Sequence, residues 1–331
     1  MKVKKLKFSL KFSKSWRFIS ALVIAFLLTF NFSWVATAAA KHYSDLQFTP
    51  LSEIKLPKYE RFVLDNGLVV YLIEDHELPL VSGTTLVKTG SRWESGDKVG
   101  LADVVGSLMR TGGTLKNSPD QLNEILEQRA ASVETEMSET AGTASFDSLT
   151  EDLETVFGLF AEVLREPAFA QEKLDLIKTQ VKGGIARRND DPDDIASREF
   201  RKLIYGPESP YSRTVEYATL DQINREDVVK FYQQYYYPNN MILGIVGDFN
   251  PKQMRSLIQE KFGDWKPNPN ISKTQLPQVS SANLGGVFFV NQPQLTQSNI
   301  LIGHLGGTFD NPDYAALSVM NGVLNGFGGR L

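Results

Sequence analysis

The stretch GLADVVGSLMRTGGT, residues 100–114, has the apolar spacing of a buried helix, with Leu101, Val104, Val105, Leu108 and Met109 on one face. On it stand a carboxylate, Asp103, and a hydroxyl, Ser107. Asp103 could touch a cation, but one carboxylate does not make a zinc site, which normally takes three protein ligands and a water. Ser107 could act as a nucleophile only beside a base, and no histidine is near in sequence. The chain has three histidines, His42, His76 and His304, with no pair at helical ligand spacing, and no cysteine. A thiolate metal site, a disulfide framework and a lipid-anchor cysteine are thereby excluded. His76, in Asp75-His76-Glu77 at a strand end, reads as a solvated turn residue, and His304 as a satisfied structural histidine.

The elements that must position these groups begin after residue 40. Lys2, Lys4, Lys5, Lys7, Lys11, Lys14 and Arg17 form a basic head without an acid. An apolar run over 18–32 follows, and then Ala36-Thr37-Ala38-Ala39-Ala40. That is the layout of a signal peptide over residues 1–40, cleaved after Ala38 or Ala40, so no stable membrane anchor is expected in the mature chain. Of 35 basic and 39 acidic residues in the 331, the seven cations leave with this segment. The remaining 28 against 39 give about −11, which argues against nucleic acid as a partner. Export to the periplasm or an equivalent extracytoplasmic compartment is the expectation.

Past a lead segment over 41–60, Asp65-Asn66-Gly67 sits between two β-rich runs, a strong hairpin signal. Residues 81–88 read as a further strand, 90–96 as a loop, and 118–130 as a helix with a Ser118/Gln121 capping box. Strands are expected near 131–137 and 141–149. Helices follow over 151–165, 171–189, 193–205 and 221–236, then a strand over 241–246 and a helix over 251–262. Tyr235-Tyr236-Tyr237 reads as core and helix-end packing. Hairpins, helices and a returning strand describe an α+β domain over 61–266. A Pro-rich linker spans 267–284. The order strand, strand, loop, helix, glycines then starts again over 285–331, with strands at 286–290 and 299–304 and a helix at 314–324. This second copy is too short to close a core, so the chain reads as C-terminally truncated, and the glycines Gly326, Gly328 and Gly329 read as turn formers.

Several stretches in this order resemble the insulinase/pitrilysin family of metallopeptidases: RFVLDNGLVVYLIED, VKTGSRWESGDKVGLADVVGSLMRTGGT, LREPAF, NDDP, YGPESPYSRTVE, FYQQYYYPNNMILGIVGDF, QSNILIGH and NGFGGRL. The resemblance implies an insulinase-type fold, related to the ferredoxin-like one, with an antiparallel sheet packed by helices. It implies a complete first domain and the start of a second, homologous one. It also implies where zinc chemistry belongs, the inverted motif H-x-x-E-H on the helix after GL-A, with a Glu on a later helix as third ligand. In this chain the first His position is Asp103, the Glu position Gly106 and the second His position Ser107. Gly183 and Gly184 stand around the third-ligand position. The expectation is therefore no catalytic residue, no bound metal and no cofactor of its own.

Family members bind an unfolded peptide in extended form on a strand edge, and the matching strand is Ser132, Val133, Glu134, Thr135, Glu136 and Met137. Glu134 stands where catalytic relatives have Asn. Glu134 and Glu136 either favour basic peptides or form a solvated face that blocks unwanted pairing. Two-subunit members pair a zinc-bearing chain with one that lacks zinc, and the latter contributes an Arg and a Tyr that would lie beyond Leu331. The expected function is thus a non-catalytic subunit of an exported zinc peptidase heterodimer, with the zinc on the partner. A peptide- or protein-binding scaffold without proteolysis, or a peptidase with a relocated site, are the alternatives.

Overall fold

A computed structural model describes residues 47, 49–271, 276–279 and 285–325. The expected signal segment, His42, parts of the linker and the final glycines lie outside the described residues. Residues 1–56 and 57–331 are separate units, and the described part of the first has no regular structure. Among the described residues no helix is long and apolar enough to cross a membrane.

The second unit is built on one six-stranded sheet, in the order β1-β2-β6-β3-β5-β4. Strands β1 (Glu60–Val63) and β2 (Val69–Glu74) form the expected hairpin, with Gly67 at φ 87° in the turn. An L-residue would be strained there, and the added Cβ would lie 2.7 Å from that of Asn239. Strand β3 (Leu80–Val87) pairs with β5 (Gly142–Leu149), which pairs with β4 (Ser132–Met137). Strand β6 (Met241–Gly247) returns from the end of the helical part and inserts between β2 and β3. Four of the five pairings are antiparallel; β2 with β6 is parallel. The expected antiparallel sheet is therefore mixed, because β6 arrives by a long helical crossover rather than a hairpin.

Helices α1 (Leu101–Thr111), α2 (Pro119–Glu127), α3 (Leu153–Arg165), α4 (Gln171–Arg187) and α5 (Pro192–Tyr205) follow the sequence pattern within a few residues. The helix expected over 221–236 is instead two, α6 (Tyr217–Gln222) and α7 (Arg225–Tyr235). Asn224 interrupts it by accepting the Asp227 N–H, while Asp227 accepts the Asn224 N–H: a reciprocal cap that starts a new helix. Helix α8 (Pro251–Phe262) completes the layer. Its Phe262 joins Phe146, Phe157 and Phe160, with ring centroids 5.0–6.4 Å apart, to form an aromatic centre between sheet and helices. Tyr235 and Tyr236 are buried, as the sequence suggests, and Tyr236 stacks on Tyr232.

The strands expected at 286–290 and 299–304 are not formed. Residues 285–313 carry no ladder, and Val287, Phe289, Ile300 and Ile302 are exposed. Apolar alternation makes a strand only where a partner supplies hydrogen bonds, and no strand lies beside these segments among the described residues. Helix α9 (Tyr314–Asn325) forms as expected but buries none of its residues. His304 is accordingly exposed rather than packed. His76 is exposed as well, its ring between the carboxylates of Glu74 and Asp248.

Candidate functional site

Helix α1 begins without a capping side chain of its own. Gly100, in the left-handed region at φ 101°, occupies the cap position. A Cβ there would lie 2.9 Å from a methyl of Val215. The cap comes instead from Glu94, six residues earlier. Its Oε1 accepts the Gly100 N–H (3.0 Å) and its Oε2 the Ala102 N–H (2.9 Å), satisfying donors that a helix start leaves free. Glu94 is 8% exposed. Burial pushes its carboxyl up to about 7, and the Asp103 charge adds to this; the two N–H groups and Arg213 oppose it.

A raised carboxyl binds its proton more tightly in the folded state than in the unfolded chain. Stability therefore falls as pH rises from about 4.5 to about 7. The glutamine variant Glu94→Gln has no such titration. Urea melts at pH 5 and pH 8 are expected to show wild type losing roughly 2.5 kcal/mol relative to that variant. Parallel pH profiles for the two proteins would count against the protonated cap.

Helix α1 turns Leu101, Ala102, Val104, Val105, Leu108 and Met109 into the core and leaves Asp103 and Ser107 at its exposed face. The protein around Asp103 thins its hydration and raises its carboxyl. Gly106 faces neither core nor water but strand β4. Thr135 Oγ1 donates to the Gly106 carbonyl at 2.6 Å. A Cβ at position 106 would lie 2.6 Å from Met137 N and 2.8 Å from the Glu136 carbonyl carbon. There is no room at this position for any side chain.

The third-ligand position is the opposite case. Gly183 and Gly184 on α4 have nothing within 4 Å of where a Cβ would stand. One half of the expected metal site is thus filled by backbone and the other is open space without a donor. Among the described residues no group of three or more His, Cys, Asp or Glu is placed to hold a metal ion. A carboxylate at 103, a hydroxyl at 107 and glycines elsewhere do not fit zinc, which needs three N, S or O donors converging on one point.

Strand β4 lies at the edge of the sheet, over the same residues that the sequence singles out. The Ser138 N–H bonds to Ala141 O across the β4–β5 turn, so by alternation Ser132, Glu134 and Glu136 turn their main-chain groups to β5. Val133, Thr135 and Met137 turn theirs to the free edge. Part of that edge is already engaged. Buried Arg110 of α1 donates from Nε to Val133 O at 2.7 Å and from Nη2 to Asn123 Oδ1 at 2.8 Å, and Met137 N packs on Gly106. Thr135 is the centre of what remains. Glu134 and Glu136 are exposed, their side chains on the face opposite Val133.

Just past β4, Glu139 lines a cleft of about 610 Å³ that Gly184 also borders. Its walls carry Arg188, Arg198, Arg201 and Arg213, none of which the sequence pattern singles out. They are dispersed over the residue that ends α4, over α5 and over the loop after α5, and only the fold gathers them. The signal available in sequence was Arg198 and Arg201, three apart on one helix face.

Comparison with known proteins gives a consistent picture. Residues 69–209 match the family pattern described as insulinase (peptidase family M16), and residues 222–331 match the one described as the peptidase M16 inactive domain. An uncharacterized zinc protease of Rickettsia felis is 21% identical over 250 residues, 75% of this chain and 59% of that protein. The mitochondrial-processing peptidase subunit alpha of Caenorhabditis elegans is 21% identical over 288 residues, 80% of this chain and 55% of that one. The chain thus spans less than three fifths of the length of these relatives. Among solved structures, a peptidase M16 inactive domain from Pseudomonas fluorescens superposes with a TM-score of 0.68 at 22% identity, covering 82% of this chain and 66% of that one. The periplasmic protease PqqL from Escherichia coli does so with a TM-score of 0.61 at 20% identity, over 70% of this chain and 26% of that chain.

Proposed function

The chain belongs to the insulinase family, peptidase family M16, and from that premise we propose that it is a non-catalytic member that holds an extended peptide along β4 for a zinc-bearing partner chain. The observation that carries this is the contact at Gly106. Where the family motif places a general base, the backbone of Met137 stands 2.6 Å from the only direction a side chain could take, whereas β4 remains a sheet edge. Strand addition uses main-chain hydrogen bonds and does not depend on a metal. Thr135, with its main-chain groups turned outward, is the point where the peptide would pair.

The zinc sits on the partner and not on this chain. The two chains form a heterodimer, a reading supported by the likeness to a processing-peptidase alpha subunit. The pair works outside the cytoplasm, supported by the basic head and apolar run at residues 1–40 and by the likeness to a protease described as periplasmic.

The test is capture of the tagged chain from its own cells, followed by peptidase assays on each chain alone and on the pair. A partner carrying H-x-x-E-H should come with it, and peptide cleavage by the pair should exceed that of either chain alone by at least about tenfold. If the partner cleaves equally well without this chain, or if this chain alone cleaves and a chelator stops it, the proposal fails.

A further inference from the structure

The cleft beyond the end of β4 is rich in arginine. Four guanidinium groups border it, those of Arg188, Arg198, Arg201 and Arg213, against two carboxylates, those of Glu139 and Asp194. The arginines are not equally committed. Arg188 is held by Glu216 at 2.6 Å and by the Val215 carbonyl. Arg198 bonds to the Arg188 carbonyl, Asn189 and Glu199. These two form the wall.

Arg201 and Arg213 are different. Arg201 Nη2 reaches both carboxylate oxygens of Glu139, at 3.0 and 3.1 Å, and its Nε donates to Tyr211 O. Arg213 donates once, from Nη2 to the Glu94 carbonyl. Among the described residues its Nε is buried without a partner and it takes part in no ion pair. A guanidinium offers five N–H donors in a fixed fork that suits a carboxylate, so most of the capacity of Arg213 is unused.

Glu139 supplies the second half of the argument. It lies two residues past the last residue of β4, beyond the point where Met137 N packs on Gly106, and its carboxylate is the one that Arg201 grips. A peptide paired along that edge runs towards the same place. Glu139 therefore occupies the position that an acidic group of the peptide would take.

We propose that this cleft receives a carboxylate of the bound peptide, an Asp or Glu side chain or the free C-terminus, with Arg201 and Arg213 as its binding residues and Glu139 as a built-in competitor. The inference rests on the reading of β4 as a peptide-binding edge and adds the peptide's chemistry to it. Glu134 and Glu136 on the open face do not contradict it, since they lie on the strand itself and not in the cleft.

The test is fluorescence anisotropy with the full chain and short extended peptides of one sequence. The first is uncharged and C-terminally amidated, the second has a free C-terminal carboxylate, and the third is amidated with one internal Glu. At least one of the last two should bind about tenfold tighter than the first, as expected for one charge-assisted bidentate contact, and which one does so identifies the source of the carboxylate. Arg201→Ala, at a half-exposed position that tolerates truncation, should remove the preference. Glu139→Gln should strengthen it several-fold. Equal binding of neutral and acidic peptides would overturn the cleft assignment and leave strand addition standing. A preference that survives Arg201→Ala would overturn the role of these arginines. If no peptide binds at all, the cleft and the peptide-binding edge both fall.

Discussion

Gly106→Glu is expected to destabilise the chain by about 2 kcal/mol and to produce no peptidase, even when combined with Asp103→His and Ser107→His. The triple variant restores every letter of the zinc motif on α1. It does not restore the space. The new Cβ meets Met137 N at 2.6 Å, Glu136 C at 2.8 Å and Met137 Cβ at 2.9 Å. These are mainly backbone contacts of an edge strand whose Thr135 is hydrogen-bonded to the same turn of α1, so relief requires the helix and strand to separate. Overpacking of this kind costs 1–3 kcal/mol and sometimes more, and the helix-propensity gain over glycine, about 1 kcal/mol at most, only partly offsets it. Gly184→Ala is the control, because it makes the same kind of helix substitution into open space. It should leave stability unchanged or raise it by up to about 1 kcal/mol. Urea denaturation of the two variants side by side separates steric exclusion from propensity. Stoichiometric zinc and chelator-sensitive cleavage in a stably folded triple variant would show that α1 and β4 can part without loss, and the collapse at Gly106 would cease to explain anything.

Phe146→Ala should cost 3–5 kcal/mol, the range for truncating a fully buried phenylalanine. The ring is 0% exposed and meets Phe157 at 5.5 Å and Phe160 at 5.0 Å. It also packs against Gly83 of the neighbouring strand, where an added Cβ would fall 2.2 Å from the ring. The glycine and the phenylalanine are a matched pair: one makes the recess that the other fills. Removal of the ring leaves a void bounded by sheet backbone on one side and by two other rings on the other, and neither side can collapse easily into it. Urea denaturation gives the measurement. A loss below about 1.5 kcal/mol would mean that the aromatic centre repacks, and that the sheet and helix layers are less rigidly coupled than these distances imply.

Most of the frame was legible in sequence because it rests on local chemistry. Asp65-Asn66-Gly67 announced the first hairpin, Ser118 and Gln121 the start of α2, and β4 kept the boundaries expected for it. The misreadings have physical causes. The apolar positions of 221–236 continue through the break between α6 and α7, and only the reciprocal cap of Asn224 and Asp227 marks it. The segments over 286–290 and 299–304 have strand composition, yet a strand is a relation between two segments and not a property of one. At the site, the identity of Gly106 was visible but its reason was not, since nothing near it in sequence reveals that β4 lies against it. Glu94 lies inside a loop and carries no local signal of its own; the absence of a cap residue before Leu101 is the one clue that a carboxylate from elsewhere serves. The arginines of the cleft are spread from 188 to 213; only Arg198 and Arg201 share a helix face, and the set is complete only once the end of α4, α5 and the following loop converge.

The place of β6 has a consequence for how the molecule comes into being. The two strands it separates, β2 and β3, are consecutive in the chain, yet they touch only through a segment that begins at Met241. Until the ribosome has released that segment, the growing polypeptide can hold a hairpin at one end and a three-stranded piece at the other, but nothing joins them. The keystone is added nearly two hundred residues after the first stone. Assembly is then governed by one long-range encounter, which makes it slow for a domain of this size and leaves two raw strand flanks open to wrong neighbours while it waits.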